Sequence, residues 1–248
     1  MVEHLPRTSR GMGQLVLVDF DDTLVETAPA CQGAREALFD MLEEEGFGRQ
    51  LARTVHHDEV DPEFLARHGM GPFRMEPSFR ETYFRLCQKA GRSPDLEVGD
   101  RCGALGRDFL GHPKVMNGSL EALRELARGF PTAIFSQSAQ AEYQLTRIKD
   151  AGVTEVLNEE SILIAERKTP ASFREALDRF GIQDPTQATM VGNSLRSDIN
   201  PALEVGANAI LVEPYEMWEY DNVPPFSDDF LRVPTFPEAV AHLLSGSA

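Results

Sequence analysis

Short runs of strand-forming residues alternate with helical patterns from about Pro113 to the C-terminus. The clearest runs are PTAIF (131–135), ATMVG (188–192) and NAILV (208–212), and the helical segments between them end in Gly or Gly-Ala. Alternating β and α segments are typical of a parallel sheet with helices on both faces. QLVLVDF (14–20) is apolar on both faces and fits the same sheet. We therefore predict an α/β fold with a Rossmann-like parallel sheet.

A different pattern covers about eighty residues between Ala30 and His112. Helical periodicity appears in CQGAREALFDMLEEEG, EPSFRETYFRLCQKAG and DLEVGDRCGALGRDFLG, with no convincing strand between them. We predict a core domain formed by 1–29 and 113–248 and a helical domain formed by 30–112. Ligands of open parallel sheets bind beyond the carboxyl ends of the strands. The helical domain begins just after such an end, so we expect it to act as a mobile lid.

The net charge of −16 argues against nonspecific binding to nucleic acid or to anionic membranes, which requires basic surface. No apolar run approaches the ~18 residues of a membrane span. The polar N-terminal segment, 1–14, lacks the apolar centre of a signal peptide.

Cysteine and histidine spacing does not indicate a metal site. Cys31, Cys87 and Cys102 are odd in number, so we expect reduced thiols and a cytoplasmic protein. His56 and His57 lie in a polar stretch, which predicts a pair on the surface.

Three aspartates, Asp19, Asp21 and Asp22, follow the first predicted strand within four residues. Two unit charges ~4 Å apart repel by roughly 4 kcal/mol at an effective dielectric of about 20, so something must offset this cost. Asp19 and Asp21 are two apart and point to the same side of an extended backbone. Such a pair suits a divalent cation or a nucleophile with an acid/base partner. The alternative is a strand-end aspartate that caps a turn, with Asp22-Thr23 starting the next helix.

Further polar residues follow later strands. Ser136 comes directly after PTAIF, and Asn193 and Asp198 come after ATMVG. Lys168 precedes Thr169-Pro170, which can begin a helix and so place the ammonium where an anion is favoured. Each has an ordinary alternative: a helix cap for Ser136, a solvated lysine for Lys168, and a charge that complements the helix dipole for Asp198.

The ordered set DFDDT, Ser, Lys and GNSLRSD resembles the motifs of the haloacid dehalogenase-like (HAD) hydrolase superfamily, which read DxDxT, Ser or Thr, Lys and an acidic GDxxxxD element. The resemblance covers roughly 14–26 and 114–213. The segment 30–112 is similar in position to the helical cap that such enzymes carry between their first two motifs. The resemblance implies a phosphatase that acts on a small phosphorylated metabolite.

Site roles follow from this resemblance. Asp19 would be the nucleophile that forms an aspartyl-phosphate, and Asp21 would be the general acid/base. Mg²⁺ would bind between Asp19, Asp21 and the last motif. The phosphate-binding residues would be Thr23, Ser136, Gln137 and Lys168, and Lys168 would also be catalytic by offsetting the carboxylate charge. The residues of the last motif at the metal would be Asn193 and Asp198. Asp22 has no family role, so we expect it to serve the local turn.

Asn193 departs from the family pattern, which has an acid at this position. Its amide oxygen can coordinate Mg²⁺ without charge, so either weaker metal binding or a larger contribution from Asp198 is expected. A metal-independent dehalogenase is an alternative, although dehalogenases of the superfamily lack the second aspartate, Asp21. A catalytically silent binding protein is another alternative. A receiver domain fits poorly, because it predicts ~120 residues and no large insert.

In the helical segment, RHGMGPFRM (67–75) joins two helices and presents Arg74. We expect Arg74 to face the cleft and bind substrate, with a solvated arginine as the alternative. The sequence leaves the physiological substrate and the oligomeric state open.

Overall fold

The computed structural model describes residues 15–69, 71–108, 113–213 and 223–246. The chain divides into two compact units. The core unit comprises Met1–Val25, Lys114–Gln137 and Ala141–Ala248, and the helical unit comprises Glu26–Pro113 and Ser138–Gln140. These divisions lie close to the predicted ones at 29/30 and 112/113. The predicted N-terminal segment 1–14 and the end of the predicted insert, 109–112, lie outside the described residues. The lid role of the helical unit stays a prediction.

The core unit is built on a parallel sheet, as predicted, and the described strands follow the order β3-β2-β1-β4-β5-β6. The strands are β1 (Leu15–Val18), β2 (Thr132–Gln137), β3 (Ile162–Ala165), β4 (Ala188–Gly192), β5 (Asn208–Val212) and β6 (Leu231–Val233). The four predicted runs correspond to β1, β2, β4 and β5, whereas β3 and β6 are not among the predicted strands. Both are short edge strands, and ILIA in β3 is followed at once by the charged residues ERK.

Helices cover the sheet. In the core unit they are α6 (Ser119–Gly129), α7 (Ala141–Asp150), α8 (Pro170–Arg179), α9 (Asn200–Val205) and α10 (Phe236–Ser245). Successive residues of a strand point to opposite faces, so β1 contributes to two separate cores. Val16 and Val18 pack in a cluster with residues of α6 and α10, while Leu15 and Leu17 pack in a cluster with residues of α8 and α9. The first strand is therefore buried on both faces, and polar residues can accumulate only beyond its end.

The helical unit has a core of its own, which includes Leu38, Phe39, Phe79 and Leu86. Its helices are α1 (Ala28–Glu44), α2 (Arg49–Thr54), α3 (Asp61–His68), α4 (Met75–Lys89) and α5 (Leu96–Asp108), with a π-helical turn at Val55–Val60. None of the described helices is long and apolar enough to span a membrane. Cys31, Cys87 and Cys102 are free thiols in this structure.

The prediction that His56 and His57 form a surface pair is wrong for His56. The π-helical turn directs His56 inward, where its side chain is fully buried and Nδ1 lies 3.0 Å from Thr82 Oγ1. Burial, reinforced by the charge of Arg35, lowers the pKa of His56 well below its ordinary value, so the ring is neutral. His57 is exposed.

The solvated alternative for Arg74 is wrong, whereas its substrate-binding role stays a prediction. The Arg74 side chain is buried and forms an ion pair with the buried Asp61. Arg35 Nη2 also lies 3.5 Å from Asp61 Oδ2. The charge of Arg74 is therefore compensated by Asp61 inside the helical unit.

Replacement of Arg74 by Met should destabilise the protein by about 3–5 kcal/mol, because breaking a buried pair leaves the Asp61 carboxylate with one long contact. Urea titration followed by circular dichroism would measure the free energy of unfolding. Arg67→Met is the matched control, since exposed Arg67 forms a surface pair with Glu63 and should lose less than about 1 kcal/mol. Equal losses for the two variants would contradict the structural role of Arg74.

Candidate active site

Three neighbouring strands place polar residues at their carboxyl ends. Asp19 follows β1, Ser136 and Gln137 end β2, and Asn193 follows β4. Since β1 pairs with both β2 and β4, these ends adjoin. The Asp19 amide also donates to the Val191 carbonyl at 2.9 Å, which fixes the backbone where the aspartate emerges.

Lys168 links two carboxylates at this edge. Its Nζ lies 2.5 Å from Asp19 Oδ1 and 2.5 Å from Asp198 Oδ1, and all three side chains are buried. Gln137 Oε1 accepts a hydrogen bond from the Lys168 amide at 3.0 Å. Thr169 caps α8 just after Lys168, as predicted, by accepting from the Ser172 amide. The Gln137 side chain thus helps to hold Lys168, which differs from the phosphate-binding role predicted for it.

The electrostatics of this cluster show a shortage of positive charge. Burial raises the pKa of Asp19, repulsion from Asp198 raises it further, and Lys168 opposes both, which leaves the pKa at about 8. Burial alone would lower the pKa of Lys168, but attraction to Asp19 and Asp198 outweighs burial and raises it. A further cation beside Asp19 would lower this pKa and favour the ionised form at neutral pH.

The Asn193 side chain shows where such a cation fits. One terminal atom of its amide lies 3.1 Å from Asp19 Oδ2 and 3.1 Å from the Asp21 carbonyl oxygen. As nitrogen, this atom donates two hydrogen bonds; as oxygen, it completes a set of three oxygens, which are the ligands that Mg²⁺ takes. Thr23, fully buried, places its hydroxyl 3.3 Å from Asn193 Oδ1 and 3.5 Å from Asp19 Oδ2. The set fits a divalent cation.

This oxygen set has little negative charge. No group of three or more His, Cys, Asp or Glu side chains suited to a metal occurs among the residues that the structure describes. The set instead combines one carboxylate, one backbone carbonyl and one amide. Weak cation binding is expected from it, because affinity for a hard cation rises with ligand charge.

Asp198, which was predicted to lie at the metal, is held by neighbouring protein groups. Asp198 is fully buried, with Oδ1 on Lys168 and Oδ2 accepting from the Ser194 amide at 3.0 Å. A Cβ at Gly192 would lie 2.4 Å from Asp198 Oδ2, so this close approach needs glycine. Both oxygens of Asp198 thus contact protein groups, and one of them helps to hold Lys168, while the metal role of Asp198 stays a prediction.

Asp21 is held by two residues of α7 that the sequence reasoning missed. Arg147 Nη1 lies 2.7 Å from Asp21 Oδ1, and Gln144 Nε2 lies 2.5 Å from Asp21 Oδ2. Gln144 Nε2 also donates to Ser136 Oγ at 2.9 Å. Their spacing of three along a helix places them on one face, but nothing else in the sequence marks that face as buried. Asp22 adopts a left-handed φ of 55° in the turn, consistent with the local role predicted for it.

A comparison with protein families decides the assignment. The sequence model of a family described as haloacid dehalogenase-like hydrolase matches residues 14–206. The chain belongs to the HAD-like hydrolase family. Comparison with curated proteins finds no significant match.

Solved structures of HAD-like hydrolases share the fold. A haloacid dehalogenase-like family hydrolase from Xanthomonas campestris is 23% identical, with a TM-score of 0.74 over 98% of this chain and 96% of that chain. A 2-haloacid dehalogenase from Pseudomonas syringae pv. Tomato is 24% identical, with a TM-score of 0.57 over 96% of this chain and 100% of that chain. A HAD hydrolase from Bacillus subtilis bound to magnesium is 18% identical, with a TM-score of 0.61 over 94% of this chain and 98% of that chain.

The core unit of this HAD-like hydrolase contains eight of the nine predicted site residues. The ninth, Arg74, lies in the helical unit. The eight are Asp19, Asp21, Thr23, Ser136, Gln137, Lys168, Asn193 and Asp198. Family membership makes the chain a hydrolase. The family includes both phosphoryl-transfer and dehalogenation chemistry, so the choice between them rests on the residues of this chain.

Proposed function

We propose that this HAD-like hydrolase is a Mg²⁺-dependent phosphatase that cleaves a small phosphomonoester through an aspartyl-phosphate. The observation that carries the proposal is Asp21, a second carboxylate held in place two residues after the buried Asp19. Hydrolysis of a phosphomonoester needs an acid for the leaving oxygen, whereas displacement of a halide does not.

In the first step, an Asp19 carboxylate oxygen attacks phosphorus and the bond from phosphorus to the leaving oxygen breaks. Asp21 gives its proton to that oxygen, so the product leaves as an alcohol. Ser136 and Lys168 hold the phosphoryl oxygens; Lys168 Nζ lies 2.5 Å from Asp19 and is placed to neutralise charge as the bond forms.

In the second step, Asp21 is ionised and takes a proton from water. The water oxygen attacks the phosphorus of the aspartyl-phosphate, the bond from phosphorus to Asp19 breaks, and inorganic phosphate leaves. Asp21 is again protonated and Asp19 is again a carboxylate, so the cycle closes. One carboxylate thus serves as acid and then as base.

Mg²⁺ would be held by Asp19 Oδ2, the Asp21 carbonyl oxygen and the Asn193 amide oxygen. When bound, it supplies positive charge to the phosphoryl oxygens and to Asp19. Support for the cation comes from the close approach of the Asn193 amide to Asp19 Oδ2 and the Asp21 carbonyl oxygen, which one ion could share once the amide oxygen faces them, and from the raised pKa of Asp19. The similar Bacillus subtilis hydrolase was crystallised with magnesium.

A metal-independent dehalogenase is the second candidate, and Asn193 favours it because a neutral residue stands where the phosphatases have an acid. The fold likeness to the Pseudomonas syringae 2-haloacid dehalogenase is compatible with it. In that reaction Asp19 would displace halide from carbon and water would hydrolyse the resulting ester. Asp21 would then have no chemical task.

The two candidates differ in product and in metal dependence. We expect the purified protein to release phosphate from p-nitrophenyl phosphate with Mg²⁺ and to lose this activity after exhaustive chelation. Chloride release from 2-chloropropionate, without phosphate release, would replace the phosphatase by the dehalogenase. Phosphate release that survives chelation would reject the metal assignment.

Asn193→Asp should lower the Mg²⁺ concentration that gives half-maximal activity by roughly tenfold, the equivalent of about 1.4 kcal/mol. The change adds one negative charge to the oxygen set that faces Asp19 Oδ2. A magnesium titration of the initial rate measures the shift. Asn158→Asp, which adds the same charge at an exposed position before β3, should leave the titration unchanged. A higher magnesium requirement in Asn193→Asp would contradict the assignment.

A further inference from the structure

Two polar side chains of α7 are buried beneath the catalytic edge. Gln144 is 2% exposed and Arg147 is 4% exposed. A buried guanidinium is costly by several kcal/mol unless a partner compensates it. Arg147 has such a partner in Asp21, at 2.7 Å, and its guanidinium lies 5.4 Å from the centre of the Phe20 ring. The pair is therefore a fixed element of the site.

Gln144 closes a small hydrogen-bond network. Its Oε1 accepts from Arg147 Nη1 at 3.0 Å, so its Nε2 must point away from the guanidinium. Nε2 reaches Asp21 Oδ2 at 2.5 Å and Ser136 Oγ at 2.9 Å. A reversed amide would set its nitrogen against the arginine and its oxygen against the carboxylate. The orientation of Gln144 is thus determined by its neighbours.

This network also sets the direction of the Ser136 hydroxyl. Because Ser136 Oγ accepts from Gln144, its own hydrogen points elsewhere and remains available to donate. A donor is what a phosphoryl oxygen requires. One amide therefore couples the placement of Asp21 to the donor role of Ser136.

We propose that Arg147 and Gln144 are positioning residues for the acid/base Asp21, and that Gln144 also orients Ser136 as a donor. The proposal rests on the proposed phosphatase function. Asp21 has to meet the leaving oxygen in one step and water in the next, so a single fixed placement of its carboxylate serves both. Arg147 and Gln144 hold both carboxylate oxygens and provide that placement.

Arg147→Met tests the role of the guanidinium, because it removes the charge and keeps much of the buried volume. We expect kcat for an alkyl phosphate to fall about 10–100-fold, less than the 10²–10⁴-fold that a positioned acid or base contributes, because Asp21 itself is still present, while KM changes little. For p-nitrophenyl phosphate, whose leaving group needs little protonation, the loss should be smaller. Arg147→Lys should restore part of kcat by returning the cation.

A double-mutant cycle separates action through Asp21 from a general effect. In an Asp21→Asn background, Arg147→Met should cause no further loss, because the group that it positions is already disabled. Gln144→Leu should lower kcat in the same leaving-group-dependent way and also raise KM, since it frees the Ser136 hydroxyl. Lys149→Met is the control: it removes an exposed cation of the same helix that pairs with Glu159 at 2.8 Å, and it should leave kcat unchanged.

Additive losses in the cycle, or equal losses for alkyl and aryl phosphates, would overturn the proposal. Crystal structures of the wild type and Arg147→Met give a readout that does not depend on activity. The Asp21 carboxylate should leave its wild-type position while Lys168 stays in place. An unmoved carboxylate would overturn the positioning role even in an active enzyme. Absence of phosphatase activity in the wild type, with a displaced carboxylate in the variant, would reject the proposed function and keep the positioning role.

Discussion

Asp19→Asn should abolish turnover and leave the fold intact. An amide is not a nucleophile, so no aspartyl-phosphate can form. In enzymes with covalent intermediates, loss of the nucleophile costs up to about 10⁶-fold, and we expect a fall in kcat of at least about 10⁴-fold here. The amide oxygen can still accept from Lys168, and Asp198 still pairs with that ammonium at 2.5 Å. The buried cation therefore keeps a charged partner.

Single-turnover kinetics with p-nitrophenyl phosphate would measure the loss, and mass spectrometry of acid-quenched wild type should show one added phosphoryl group on the peptide with Asp19. Asp22→Asn is the matched control. Asp22 occupies a left-handed turn, a conformation that asparagine also adopts. The Asp22→Asn variant should therefore retain its activity. Mass spectrometry also checks that the introduced amide has not deamidated. Activity above a few per cent in intact Asp19→Asn would exclude the covalent role.

Asp21→Asn should cause the second-largest loss, about 10²–10⁴-fold, which is the usual contribution of a positioned general acid or base. The loss should depend on the leaving group, being largest for alkyl phosphates and smaller for aryl phosphates. The rate constants for two such substrates, measured on wild type and variant, give the comparison directly.

The asparagine in this variant also disturbs geometry, because its amide nitrogen would face Gln144 Nε2, which lies 2.5 Å from Asp21 Oδ2 in the wild type. Equal losses for both substrate classes would show that Asp21 serves structure and not proton transfer.

Much of the core unit was predictable because, in the sequence, the candidate catalytic and binding residues directly follow apolar runs that are typical of strands. A strand that is apolar on both faces must be central, and the residue after it must lie at the carboxyl edge. This logic placed Asp19, Ser136 and Asn193. The placement of Lys168 also followed from Thr169-Pro170, which marks a helix start.

The contacts that the sequence analysis missed depend on which face of a helix packs against the neighbouring elements. Gln144 and Arg147 are polar, and in a sequence alone a polar helix face indicates solvent. His56 points inward because the turn at Val55–Val60 is π-helical, which shifts the phase of the side chains. Arg74 and Asp61 form an ion pair although they are 13 residues apart, and no local sequence pattern predicts this contact.

The position of β1 in the sheet has a consequence for how the enzyme is made. Val16 pairs with Thr132 on one side and with Thr189 on the other, so the strand that leads into Asp19 keeps one edge bare until Thr132 has been synthesised and the other until Thr189 has been synthesised. Bare strand edges can pair with other chains, and contacts between residues so distant in sequence form slowly. The helices of the helical unit, in contrast, are contiguous and local. Recovery of activity after refolding therefore measures completion of the sheet. Fragments that end before β4 leave one edge of β1 unpaired, and we expect them to aggregate.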